Sequence, residues 1–188
     1  KNKEYAIIGS TAGTHIFDIS DPSNSYEAFF IEGEVPDAQI IHRDYHDYNG
    51  YLYMVADEGF ESKLRIVNMN YLPDSVSVVY NSNEFFKRAH NIFIDTSTAK
   101  MYACGTDYTF MDIFSLANPI EPNYIMTYDD LDDLPVSDGY VHDVYVKNDT
   151  AYLNAGNAGL FIVDFSLNNP QIIASLTQYP NKGYNHSG

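Results

Sequence analysis

The chain is predicted to be all-β, a β-propeller of four-stranded antiparallel blades, and three observations predict it. A strand-rich unit of about fifty residues recurs along the sequence. The composition includes 17 Tyr and 11 Phe beside many Ile and Val, and β-branched and aromatic side chains suit a pleated, half-buried surface. No long stretch carries an uninterrupted helical period. With 188 residues, 45% of them hydrophobic, the chain has enough apolar material to bury a core.

Four signposts define the unit. The first is a strand with a tyrosine followed by small and apolar residues: Tyr5 to Gly9, Tyr53 to Asp57, Tyr102 to Thr106 and Tyr152 to Gly156, with the tyrosines 48, 49 and 50 residues apart. A short polar or glycine-bearing turn leads to a second strand, at Ile16 to Ile19, Ile66 to Met69, Ile113 to Leu116 and Ile162 to Phe165. Pro22, Pro73, Pro119 and Pro170 follow these strands, where a fixed φ and a missing N–H suit a turn and would damage a central strand. A third strand comes next, at Tyr26 to Ile31, Val76 to Tyr80, Tyr124 to Tyr128 and Ile172 to Leu176. The last signpost is a polar pair that opens the following copy: Arg43-Asp44, His90-Asn91, His142-Asp143 and His186-Ser187.

These signposts divide the chain into a partial blade over 1–31, blades over 42–80, 90–128 and 141–177, and the start of a further blade over 184–188. The last segment is too short to complete the first blade. About four blades of a larger ring are therefore expected. A two-sheet sandwich uses similar strands but gives no reason for the same signposts to return in the same order.

Charge narrows the partners. Ten Lys and Arg stand against 26 Asp and Glu, a net charge of −16, which opposes binding to nucleic acid or to anionic lipid. No segment is apolar for the roughly 18 residues of a membrane span, and the first residues lack a signal-peptide core. Cys104 is the single cysteine, so no intrachain disulfide forms and it is expected to be a small core residue.

The stretches GSTAGTHIFDISDP (9–22), AHNIFIDTSTAKMYACGT (89–106), YVHDVYV (140–146), GLFIVDFSLNNP (159–170) and YPNKGYNHSG (179–188) resemble the LVIVD-repeat propellers, specifically the bacterial choice-of-anchor B family. Two departures stand out: His42 occupies the place where that family tends to carry Trp, and the segment after Asp57 is longer than in the sister blades. The resemblance implies a secreted or surface-attached protein and brings no defined activity with it.

In a propeller the innermost strands begin beside the central channel, so the polar pairs are expected to line one channel mouth. The ligand candidates are Arg43, Asp44, His90, Asn91, His142, Asp143 and His186, with His42, Asp57, Glu58 and Asp107 on the same face. Imidazoles with neighbouring carboxylates suit zinc or copper, and a carboxylate and carbonyl arc suits calcium; the metal candidates are His90, His142, His186, Asp44 and Asp143. The competing reading is structural, each histidine joining a hydrogen-bond network within its blade. The acidic run Tyr128 to Leu134, continuing to Asp138-Gly139, lacks the glycine and terminal glutamate of an EF-hand loop and reads as a solvated loop. His15 and His46 read as packing or surface residues.

No nucleophile elbow, catalytic cysteine signature or phosphate loop is present. The expected function is a non-enzymatic extracellular or cell-surface scaffold that binds a protein or a surface glycan. The alternative is a metal-dependent hydrolase of the lactonase or phosphoesterase type, holding calcium or zinc at the channel mouth.

Overall fold

The computed structural model describes residues 3–34, 40–57, 59, 62–107, 109–129 and 141–188. The chain divides into two compact units, 1–88 and 89–188. The first holds a three-stranded sheet, β1 (Tyr5–Gly9), β2 (Gly13–Asp18) and β3 (Tyr26–Glu32), and a four-stranded one, β4 (Arg43–Tyr48), β5 (Tyr51–Ala56), β6 (Leu64–Asn68) and β7 (Ser77–Ser82). The second holds two four-stranded sheets. These are β8 (Asn91–Asp95), β9 (Lys100–Cys104), β10 (Met111–Ser115) and β11 (Asn123–Tyr128), then β12 (Asp143–Lys147), β13 (Thr150–Asn154), β14 (Leu160–Asp164) and β15 (Gln171–Leu176). Every sheet is an antiparallel meander in chain order, because each connection is short enough to turn a strand back onto its neighbour.

Period-two patterning sets the faces. In β12, Val144 and Val146 are buried while Tyr145 and Lys147 are exposed, as side chains alternating across a pleated strand require. The two-residue turns that open the sheets use residues suited to positive φ: Asn49 and Gly50 between β4 and β5 have φ of 51° and 78°, and Asn148 and Asp149 between β12 and β13 have 51° and 61°. Two successive positive φ values match the right-handed twist of the flanking strands.

A β-bulge recurs at one place in all four sheets, between Ile16 and Phe17, Ile66 and Val67, Ile113 and Phe114, and Ile162 and Val163. On the outer strand the residue left without a partner is Ala28, Val79, Ile125 or Ile173. Such a bulge increases local twist and bends the unpaired edge away from a flat template.

The bulge also corrects the tyrosine spacing. Ile66, Ile113 and Ile162 pair with Tyr53, Tyr102 and Tyr152, but Ile16 pairs with Ile7, and Tyr5 lies opposite Asp18. Ile7 is therefore the counterpart of the three tyrosines, and Tyr5 stands two residues before it on the same face. The cause is the tight turn after Gly9, where the Ser10 and Gly13 backbones exchange hydrogen bonds of 2.8 and 3.3 Å; the shorter hairpin brings a nearer residue opposite Ile16.

In the first unit Ile16 and Ile31 pack with Leu52, Met54 and Val67, flanked by Ile7, Phe29 and Tyr45. In the second, Tyr102, Cys104 and Ile113 pack against Val144, Val146, Leu153 and Phe161. Cys104 is a buried free cysteine, as its apolar strand implied. Among the described residues no helix is long and apolar enough to cross a membrane.

Candidate functional site

In the second unit the residue before each inner strand caps the end of the next strand. The His90 N–H donates to the Cys104 carbonyl at 2.9 Å, and the His142 N–H to the Asn154 carbonyl at 2.8 Å. These bonds fix the two backbones at matching places, and their side chains follow. The His90 and His142 ring centroids are 4.2 Å apart with the planes at 59°, and the His142 and His186 centroids are 4.1 Å apart at 48°. Three imidazoles thus stand in a row with His142 in the middle.

His186 reaches the row because its segment is pinned. Asn185 and Gly156 exchange backbone hydrogen bonds of 2.9 and 3.1 Å, and the Tyr184 ring stands edge-on to His142 at 5.4 Å. Tyr184 also lies against Gly156, whose φ of +52° and missing Cβ both matter there: a Cβ would come 2.7 Å from the tyrosine ring. The His142 Nδ1 is 3.0 Å from the His186 carbonyl oxygen; a carbonyl only accepts, so Nδ1 carries the proton and the lone pair of the neutral ring lies on Nε2. His142 is buried, and burial, followed by the neighbouring His90 and His186, lowers its pKa below the ordinary histidine value. Asp143 caps its own strand, its Oδ1 accepting from the Val144 N–H at 2.9 Å.

The opposite ends of the same strands carry a different polar cluster. The Lys100 ammonium donates to Asp149 at 2.7 Å, and the Asp149 N–H donates to Asp95 at 3.1 Å. This seam ties the β8–β11 and β12–β15 sheets together and leaves the histidine end to other contacts.

His42, Arg43, Asp44 and Asp57 lie in the first unit, and Asn91 and Asp107 in the second. Arg43 sits at the start of β4, and its Nε–H donates to the Ser10 carbonyl at 2.8 Å, so its guanidinium bridges two sheets. Arg65 makes a similar bridge to the Glu32 carbonyl at 2.7 Å. Asp44 lies opposite Val55 in the β4–β5 ladder, and the Asp57 carboxylate is 3.8 Å from His42 Nδ1. His15 lies 2.8 Å from the Ser10 hydroxyl and 2.5 Å from Glu27. Asn91 opens β8, and its Oδ1 is buried with no hydrogen-bond partner among the described residues. Glu58 and most of the acidic run, 130–140, lie outside the described residues.

Sequence reasoning missed Tyr184, which holds the segment that delivers His186, and the groove beside it. That groove, about 600 Å³, is lined by Tyr145, Tyr152, Leu160, Asn154, Asn185 and Ser187. The Tyr-x-His spacing at 184–186, which also occurs at 140–142, was the available signal.

No family model matches the chain, and no curated protein matches it. Solved structures do. A chain of a nidogen/laminin complex aligns with a TM-score of 0.61 at 7% identity, covering 97% of this chain and 62% of that one. The N-terminal domain of Nup159 aligns with a TM-score of 0.59 at 11% identity, covering 97% of this chain and 48% of that one. The chain therefore spans less than two thirds of either neighbour. Both neighbours are β-propellers, and four bulged antiparallel meanders that superpose on them give this chain the β-propeller fold.

Proposed function

We propose that this chain is a non-enzymatic scaffold that binds a partner protein outside the cell or at its surface. The observation that carries the reading is the repeated bulge. In three of the four sheets the unpaired bulge residue, Val79, Ile125 or Ile173, is 39%, 44% or 58% exposed, while Ala28 in the first is half-buried; Tyr124 and Ile172 on the second unit's outer strands add 53% and 41% exposure. An outer strand that presents aliphatic and aromatic side chains to water, as β11 and β15 do, suits contact with another protein. One structural neighbour was solved as a complex of nidogen with laminin, which supports a protein partner by analogy of fold. The extracellular address rests on the resemblance of the repeats to choice-of-anchor B propellers.

The test begins with capture from surface extracts on the immobilised chain, followed by titration of the purified partner and, in parallel, of a glycan panel. Saturable protein binding that Ile125→Ser and Ile173→Ser weaken by roughly tenfold or more supports the reading. Binding only to glycans overturns the choice of partner, and no saturable binding to either overturns the scaffold.

A further inference from the structure

We propose that the His90–His142–His186 row is a binding site for a borderline divalent cation, zinc or copper, independent of the surface that holds a partner protein. Three features of the second unit support it. The row brings three imidazoles into contact, with centroids 4.2 and 4.1 Å apart, and imidazole suits both metals. His142 already has the arrangement of an oriented ligand: its Nδ1–H is held by the His186 carbonyl oxygen at 3.0 Å, which directs the lone pair to Nε2 and matches the backbone-carbonyl partner common behind metal-bound histidines. Asn91 and Asn185, each next to a histidine of the row, keep Oδ1 buried with no hydrogen-bond partner among the described residues. Those oxygens offer acceptors for a water carried on the ion.

Metal–nitrogen bonds of about 2.0–2.1 Å place every pair of tetrahedral ligand nitrogens about 3.3 Å apart, so the His90 and His186 rings on either side of His142 have to converge. The ring nitrogens of the three do not all lie within 4.8 Å of one another as the rings now stand. His186 is the ligand that has to move. It is exposed and lies on the segment pinned at Asn185, so closing the site tightens that segment onto the β12–β15 sheet. Metal binding and docking of residues 184–188 are then one coupled event. The net charge of −16 raises the local cation concentration without selecting zinc over calcium; the imidazoles make the selection.

The experiment is calorimetric titration of the 188-residue chain with zinc chloride at about pH 7.5, where histidine is neutral, in a millimolar excess of magnesium that occupies hard carboxylate sites. One saturable zinc site is expected, weakened about tenfold or more by His142→Gln and by His186→Ala, and unchanged by His46→Gln. His186→Ala keeps the test usable if the buried His142 variant misfolds. Carboxypeptidase digestion gives a second readout: zinc slows trimming of residues 184–188 in the parent chain and not in His186→Ala. Equal zinc affinity in the parent chain and His186→Ala, no saturable site, or trimming unaffected by zinc overturns the proposal. A scaffold that fails to bind any protein leaves these outcomes unchanged, so the two readings fail separately.

Discussion

The backbone N–H of Asp149 donates to the carboxylate of Asp95 at 3.1 Å, joining residues 54 positions apart in the chain. Asp149 owes its place to the two-residue turn that gives it a φ of 61°. Asp95 also accepts from the Ser97 hydroxyl at 2.6 Å and the Ser97 N–H at 3.0 Å. A carboxylate is needed here because three donors converge on a buried group, and a neutral side chain of the same size has fewer acceptor sites.

Burial alone pushes the Asp95 pKa up, but the donors from Ser97 and Asp149 outweigh it and hold the value below the ordinary carboxylate range. A folded-state value below the unfolded one means that the unfolded chain binds the proton first as pH falls. The stability contributed by Asp95 is thus fully present above about pH 4 and is lost as pH drops through the folded value. Asp95→Ala should cost about 1–3 kcal/mol near neutral pH and nothing comparable once the carboxyl is protonated in both states. Urea unfolding of parent and variant across that range reads the difference, and a pH-independent gap would refute the assignment. Asp18 and Asp164 also have lowered values, so the parent slope is shared and only its Asp95 portion should vanish.

Tyr102 and Tyr152 occupy the same register position, opposite Ile113 and Ile162, yet Tyr102 is fully buried while Tyr152 is 38% exposed. The β12–β15 sheet covers Tyr102, whereas Tyr152 lines an open groove. Tyr102→Ala should therefore cost about 3–5 kcal/mol, and Tyr152→Ala about 1 kcal/mol or less. Denaturant midpoints of the two variants test this, and equal losses would mean that Tyr152 is packed as its counterpart is.

Blade architecture was legible in the sequence because its cues are local: alternating strands, a proline after each second strand, and a polar pair at the start of each inner strand. Register was less legible. Tyr5 imitates the spacing of the other tyrosines, and only strand pairing shows that Ile7 holds the equivalent place. The bulges were invisible for the same reason, since Val79, Ile125 and Ile173 read as ordinary members of alternating strands. Of the candidate site, repetition pointed to His90, His142 and His186, and the structure brings them into one row. Repetition could not show that the Asn185–Gly156 bridge delivers the third ring, because that contact joins a loop to a segment with no strand pattern.

Arg43 carries the final prediction, because position alone made it a ligand candidate while its contacts describe a staple. Its Nε–H reaches the Ser10 carbonyl across the two sheets of the first unit, and its side chain lines a narrow cleft with Glu34, Tyr45 and Arg65. Tyr45 adds a second bond across the same seam, its hydroxyl lying 3.0 Å from that of Thr14. Replacing Arg43 by Ala leaves the Ser10 carbonyl without its charged donor, at a cost of about 1.5–3 kcal/mol. Lysine is not a substitute, since it has no donor at the Nε position of a planar fork, and Arg43→Lys should recover less than half of the loss. A structural staple further requires that partner binding, measured below the unfolding transition, stays within about twofold of the parent. Loss of binding with unchanged stability would instead make Arg43 a contact residue.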